Sequence, residues 1–303
     1  MIAYRIFQFF EFLLYLFPYS WRKRFFIALS RLAYAIDRSR RHTIRQNLRF
    51  AYNDSIDEAQ IEEIGRTCFR NLALNLMQVM EHHRFGPGEL EKHVTFSRPD
   101  IVKLIKESKR PVIISTAHFG RWELAGNAIS NLVAPLLVVY KELNNPYFDS
   151  YLVEARARAG IETVEKHGAV KALVNRLKAG QAVSLLIDTN LNRRDGVVVE
   201  FFGHSTRTTV TPAYLARKYD ALIIPTGIVT EDDEHFTVLF GDPIEVAHTD
   251  DADADIKAAT QAQSTALEGF IRDYPHLWFW CHRRWRTDHS HLYKKRKKKQ
   301  TKE

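Results

Sequence analysis

His118 and Glu123, in the run Ser115-Thr116-Ala117-His118-Phe119-Gly120-Arg121-Trp122-Glu123, have the types and spacing that suit acid–base chemistry. An unactivated alcohol holds its proton far too tightly to release it at neutral pH, whereas imidazole titrates near 6.5 and accepts a proton there. A carboxylate beside the ring would fix its tautomer and stabilise the imidazolium that forms. Five residues of unbroken helix would set the two side chains about 140° apart, so the pair needs a turn between them. The apolar run Val112-Ile113-Ile114 predicts a strand ending near Ser115, and a helix is expected to start near Arg121. Glu123 then falls in the helix's first turn, where the macrodipole favours negative charge, and the turn folds His118 back over it. Outside such a context the same pair is usually a surface or packing contact. No serine or cysteine sits in a Gly-x-Ser-x-Gly elbow, so the expected chemistry is direct attack by the acceptor without a covalent acyl-enzyme.

The elements that must position this pair alternate between strand and helix signals. Strands are predicted over 112–115, 136–140, 182–188, 221–229 and 236–240, and helices over 121–132, 145–159, 169–179, 209–219 and 253–274. Upstream, Ser55 and Glu58 read as a capping box that starts a helix running to about His83, with Ile61, Ile64, Cys68, Leu72, Leu76, Val79 and Met80 as its apolar stripe. Gly86-Pro87-Gly88 ends that segment. The pattern predicts an α/β fold, a layered mixed sheet flanked by helices, behind a helical N-terminal subdomain. Open sheets of this class hold ligands beyond the carboxyl ends of their strands, where His118, Lys141 and Asp188 would all fall.

The form His118-Phe119-Gly120-Arg121-Trp122-Glu123 resembles the His-x4-Asp/Glu signature of the glycerolipid and lysophospholipid acyltransferase superfamily, and within it the bacterial lipid A late acyltransferases of lauroyl/myristoyl type. Further blocks resemble that branch in order from about residue 35 to about 286. They are Arg45-Gln46-Asn47-Leu48-Arg49-Phe50, Val139-Tyr140-Lys141 with Asn145-Pro146-Tyr147 and Asp149, Arg156 with Gly160, Leu186-Ile187-Asp188, Phe201-Phe202-Gly203 with Thr208, and Trp278-Phe279-Trp280-Cys281-His282-Arg283-Arg284-Trp285. Two positions depart from it: Thr189 stands where the branch usually has Gln, and Glu200 where it usually has Pro.

The resemblance implies a membrane-associated enzyme that moves a fatty acyl group from an acyl carrier protein thioester to a hydroxyl of a lipid A precursor, a Kdo-bearing tetraacylated glucosamine disaccharide. His118 would be the base and Glu123 its orienting partner. Arg156, with Arg158 beside it, would position substrate; Asp188 would support the acceptor side; Phe202 and Gly203 would shape the pocket. Backbone amides around residues 119–121 or a nearby guanidinium would meet the oxyanion. The closing tryptophans and arginines would either hold a phosphorylated glycolipid or close the core. Acylation of another membrane lipid, such as a lysophospholipid or a phosphatidylinositol mannoside, uses the same pair. Thioester hydrolysis and a silent membrane-binding scaffold are the remaining alternatives.

Composition narrows the rest. With 303 residues and 45% hydrophobic content the chain has material for one catalytic domain. The tail from Lys294 to Glu303 has seven basic residues and one acidic, so six of the eight net positive charges lie there. The nearly neutral remainder and the lack of a recognition motif argue against nucleic acid as a partner. Cys68 and Cys281 have no paired spacing, which predicts no disulfide framework and cytosolic exposure. Neither Cys281, His282, His289 and His291 nor His82, His83 and His93 has zinc-ligand spacing, so no metal or cofactor is expected.

Residues 1–17 are apolar and phenylalanine-rich, with Arg5, Gln8 and Glu11 as one polar stripe, and Trp21-Arg22-Lys23-Arg24 follows. Such a helix suits the lipid interface better than a span, which takes about 20 predominantly apolar residues. The expected organisation is a membrane-contacting N-terminal helix over 1–24, an acyltransferase domain over 25–293 and a disordered basic tail over 294–303 that adds attraction to anionic lipid. The expected location is the cytoplasmic face of the inner membrane. Arg38-Ser39-Arg40-Arg41 would attract an acidic carrier protein.

Overall fold

The computed structural model describes residues 2–81 and 88–294. Four helices come first: α1 (Ile2–Tyr15), α2 (Tyr19–Ile36), α3 (Arg38–Ala51) and α4 (Glu58–Met80). Then follow α5 (Leu90–His93), β1 (Val94–Phe96), α6 (Pro99–Glu107), β2 (Val112–Thr116), α7 (Trp122–Leu132), β3 (Leu136–Tyr140), α8 (Pro146–Arg158) and β4 (Glu162–Glu165). The second half holds α9 (Ala169–Lys178), β5 (Ala182–Leu186), β6 (Val197–Phe201), β7 (His204–Thr208), α10 (Thr211–Tyr219), β8 (Leu222–Val229), β9 (Phe236–Phe240) and α11 (Ala252–Asp273).

Seven strands form one mixed sheet in the order β1-β9-β8-β2-β5-β3-β4, in which only β8 and β9 run antiparallel. Side chains alternate across a strand, and β2 shows how this builds the layers. Val112 and Ile114 pack with Ile101 and Ile105 of α6 and Leu124 and Ala128 of α7. Ile113 points the other way, into Leu173 and Leu177 of α9 and Ala213 and Ala216 of α10. A strand buried on both faces needs an unbroken apolar run, and Val-Ile-Ile supplies it. A third core joins α3 and α4 to the separate β6–β7 hairpin and to Trp278, Trp280 and Trp285.

Strand and helix positions differ from the sequence expectation mainly by omission. β1, β4, β6, β7 and α6 were not expected; Glu162–Glu165, for instance, reads Glu-Thr-Val-Glu and is paired only by β3, whereas α6 is amphipathic, with Ile101 and Ile105 buried, but short. The capping box of α4 is Asp57 with Gln60, not Ser55 with Glu58: the Asp57 carboxylate accepts from Gln60 N at 2.7 Å and Gln60 Oε1 accepts from Asp57 N at 3.1 Å. A carboxylate gains more from the helix dipole than a hydroxyl does, and Ser55 instead donates to Tyr52 O. The helix ends at Met80. His82, His83, Gly86, Pro87 and most of the basic tail lie outside the described residues.

Cys68 and Cys281 are free but meet at 3.7 Å between sulfurs, a contact that their 213-residue separation conceals.

The N-terminal helix is apolar on its outside. Ile2, Ile6, Phe9, Phe12, Leu13 and Leu16 are exposed. Tyr4, Phe7 and Glu11 instead face α8, where Tyr4 stacks on Tyr147, Phe7 meets Phe148, and Glu11 accepts from the Tyr151 hydroxyl. Within Trp21-Arg22-Lys23-Arg24 the helical period splits the charges. Arg22 turns inward to Glu81 at 2.5 Å and Lys23 to Asp233 at 3.5 Å, so these two charges are committed within the fold. No helix among the described residues is long and apolar enough to cross a membrane.

Candidate active site

β2 and β5 are parallel neighbours with Thr116 opposite Leu186, and Ile187 N extends the ladder to Thr116 O at 2.9 Å. His118 and Asp188 therefore emerge at the same rim, each two residues past its strand. There His118 Nδ1 lies 3.0 Å from Asp188 Oδ1, and the His118 backbone N–H donates to Asp188 Oδ2 at 3.0 Å. Trp278 Nε1 donates to the same Oδ2 at 3.0 Å. An ionised carboxylate only accepts, so the Nδ1 position carries the proton and the Nε2 lone pair is left able to accept one.

This corrects the expected pairing. Glu123 makes no hydrogen bond to His118; it receives Arg156 in a two-point contact, Nε to Oε2 at 3.0 Å and Nη2 to Oε1 at 2.6 Å, and Trp122 Nε1 at 3.2 Å. The reason is direction: Glu123 opens α7 toward α8, whose last turn brings Arg156 to it. The carboxylate that orients the imidazole is Asp188. Glu123 still acts on His118 through space.

His118, Glu123 and Arg156 line one cavity of about 800 Å³. Its walls are apolar at Ile114, Ala125, Ile129, Leu136 and Leu173 and polar at Lys141, Lys166, Thr189 and Asn190. Arg156 Nη1 is buried without a hydrogen-bond partner. Arg158, two residues on, faces away, is exposed and pairs with Glu154, because two helical residues turn about 200°. Phe202 and Gly203 do not line the cavity. They are the turn of the β6–β7 hairpin, both with positive φ (+55° and +73°), and Phe202 is buried between Tyr52 and Trp280.

The closing aromatic motif forms core and scaffold. Trp278, Trp280 and Trp285 are buried, and Arg284 is spent on the carbonyls of Thr189 and Arg207 and the Thr208 hydroxyl, so these four close the core, while Arg283 stays exposed over the Tyr293 ring. Asn47 ties it to the N-terminal block by donating to Trp280 O and His282 O, both at 2.7 Å. At the departing position Glu200, the backbone N–H donates to Gln261 Oε1 at 2.8 Å, a bond that the more usual proline would lack.

The turn carrying His118 is held from several sides. Phe279 N donates to His118 O at 3.0 Å, Gly120 N to Leu277 O at 3.0 Å, and Asn75 Nδ2 to Gly120 O at 2.7 Å. Buried Arg121 reaches Asp233 at 2.7 Å. Gly120 sits at φ +59°, and a Cβ there would lie 2.0 Å from Ile228 O. Gly120→Ala combines backbone strain with an unrelievable clash, for a cost of about 3 kcal/mol or more. A thermal melt should show a fall in Tm of about 6 °C or more, or no soluble protein; a wild-type melt would contradict the packing described.

Burial disfavours charge on both members of the His118–Asp188 pair. For Asp188 it is outweighed by the His118 charge and three hydrogen bonds, which hold the carboxyl well below its ordinary 3.8. For His118, burial is outweighed by the attraction and hydrogen bond of Asp188 and by Glu123, against Arg156, so its pKa rises above 6.5. Glu123 is likewise lowered, the pull of Arg156 exceeding its burial cost.

A base must be neutral to work, so kcat/KM should climb with pH along a limb above 6.5; a limb below that value would contradict the pairing. Stability behaves differently. The raised His118 pKa contributes stability fully present below the unfolded value near 6.5 and lost as pH rises through the folded one. Depressed Asp188 contributes above 3.8 and loses this as pH falls through its folded value.

Comparison with known proteins places the chain in a family. A phosphatidylinositol mannoside acyltransferase of Mycolicibacterium smegmatis is 27% identical over 188 residues, 61% of this chain and 60% of that protein. Its namesake from Mycobacterium tuberculosis is 27% identical over 182 residues, 59% of this chain and 55% of that protein. The chain thus spans somewhat over half the length of these curated relatives. The family described as bacterial lipid A biosynthesis acyltransferase matches residues 3–287. That match covers nearly the whole sequence, the N-terminal helices included, and the chain belongs to the bacterial lipid A biosynthesis acyltransferase family.

Proposed function

We propose that this chain is a membrane-lipid acyltransferase that uses His118 as general base, moving a fatty acyl group from an acyl carrier protein thioester to a hydroxyl of a Kdo-bearing lipid A precursor at the cytoplasmic face of the inner membrane. The observation that carries the reading is an imidazole locked by Asp188 with Nε2 free, at the wall of a cavity with apolar walls of acyl-chain character. Nε2 takes the acceptor's hydroxyl proton as its oxygen attacks the thioester carbonyl. The tetrahedral intermediate then collapses, the C–S bond breaks, and the imidazolium returns the proton to the leaving thiolate. Each methylene buried in the cavity contributes about 0.8 kcal/mol.

The oxyanion needs a donor. Phe119 N and Gly120 N are already bonded to Ala117 O and Leu277 O, and the Arg121 side chain is turned away to Asp233. Arg156 Nη1, buried and unbonded in a side chain that lines the cavity, fits the role. Glu123 would keep that guanidinium in place.

The exposed faces of α1 and α2 support membrane contact. The relatives' names favour a second reading in which the acceptor is a phosphatidylinositol mannoside. The two separate in one assay: purified protein, acyl carrier protein thioester, and a panel of Kdo-bearing tetraacylated disaccharide, lysophospholipid and phosphatidylinositol mannoside, with products read by mass spectrometry. Acylation of the disaccharide is expected. Acylation of the mannoside alone would replace the acceptor, and fatty acid release with every acceptor left intact would replace transfer by hydrolysis.

A further inference from the structure

Arg38, Arg41 and Arg45 stand three and four residues apart on α3, so they share one helix face. With Tyr34, His42 and Glu62 they line a cavity of about 250 Å³ between α2, α3 and α4, apart from the catalytic one. Its charge is unbalanced. Glu62, the one carboxylate in the lining, accepts from the Tyr34 hydroxyl at 2.7 Å and pairs with Arg66 at 2.7 Å. Arg45 shares Glu58 with Arg49. Arg41 lies over the Tyr34 ring, 5.4 Å from its centroid, and the Arg38 side chain has no ion pair or hydrogen bond among the described residues. His42 Nε2 is buried with no hydrogen-bond partner.

We propose that this cavity binds the phosphate of an anionic lipid headgroup. Guanidinium forks match phosphate oxygens in geometry as well as charge. The surface beside the cavity says where that phosphate comes from. Trp21, Phe25, Leu29, Leu32 and Ile36 recur every three or four residues along α2 and are all exposed. Phe25 meets Phe10 of α1 at 5.6 Å between ring centroids and Trp21 meets Phe17 at 6.2 Å, which joins the exposed sides of both helices into one apolar surface. That stripe ends at Ile36, two residues before Arg38 across the α2–α3 junction. With the stripe in hydrocarbon, Arg38, two residues past its end, stands near headgroup depth at the mouth of the cavity it lines. A soluble acidic carrier protein would leave the stripe uncovered, so the lipid is favoured over the carrier for this face.

The inference rests on the membrane contact proposed above but not on the acyl-transfer chemistry. The test uses the full chain in flotation with phosphatidylcholine vesicles and with vesicles containing phosphatidylglycerol, comparing wild type, R38Q/R41Q and a charge-matched K103Q/K106Q on α6. Each removed charge near an anionic surface should weaken binding about fivefold, so R38Q/R41Q should lose about 25-fold of the preference for anionic vesicles. K103Q/K106Q should keep that preference, neutral-vesicle binding should not change, and all three proteins should melt alike.

Equal loss in both variants would overturn the pocket. So would a wild type that binds neutral and anionic vesicles equally, an outcome that leaves membrane contact standing. No wild-type binding to either vesicle would overturn both. Calorimetric titration with inorganic phosphate separates the other source. Saturable phosphate binding lost in R38Q/R41Q, without any vesicle preference, would assign the cavity to a free anion and overturn the lipid. Weakened binding of acyl carrier protein by R38Q/R41Q with vesicle binding intact would make the face a carrier dock and overturn the proposal as well.

Discussion

Purified His118→Ala is expected to transfer acyl groups at least about 10³-fold more slowly than the wild type, a loss of about 4 kcal/mol of transition-state stabilisation. Among the described residues no second histidine lines the catalytic cavity to replace it. The fold should survive. The His118 side chain is about a third exposed, and its loss leaves Asp188 with two of its three donors, the backbone N–H of residue 118 and Trp278 Nε1. The residual cost is that of an under-satisfied buried carboxylate, about 1–3 kcal/mol. Transfer of a labelled acyl group and a thermal melt on the same preparation check both halves. Turnover within tenfold of wild type in a folded variant would falsify the assignment of the base.

How much of this was readable in the chain depends on whether a feature is local. Val112-Ile113-Ile114 announced a strand, and the rule that ligands gather beyond parallel strand ends put His118, Lys141 and Asp188 at one rim. Which rim residues touch is a matter of strand order and register, and neither is local. β2 and β5 are neighbours although β3 and β4 lie between them in sequence, so Asp188 was legible as a nearby carboxylate and not as the partner of the imidazole. Glu123 was misread for a related reason: its place in the first turn of α7 was sound, but the partner it faces belongs to α8. The β6–β7 hairpin was hidden because its turn is Phe202-Gly203, where Asn-Gly or Asp-Gly would have signalled it. The tryptophans carried no sign of which way they point; burial makes them the scaffold that presents Asp188.

Asp188→Asn and Glu123→Gln should separate the two carboxylates by the size and the kind of their effects. Asparagine at 188 can keep an acceptor for His118 N and Trp278 Nε1, but its amide N–H would then face Nδ1. That arrangement selects the tautomer protonated at Nε2 and removes the lone pair from the cavity side, and the substituted amide no longer stabilises the imidazolium. A loss of about 10³–10⁴-fold in transfer is expected, as where a triad aspartate is replaced the same way. Glutamine at 123 keeps an oxygen for Arg156 but forfeits the charge, so Arg156 is loosened and not freed. A loss of about 10- to 10²-fold is expected, less than for His118→Ala. The pH profile gives an independent reading. Asp188 is the strongest influence raising the His118 pKa, so whatever activity Asp188→Asn retains should have its limb moved to lower pH; Glu123→Gln should move it less. If Glu123→Gln instead abolishes transfer and shifts the limb while Asp188→Asn remains active, the imidazole is steered by Glu123 during turnover, and the Asp188 contact is only structural.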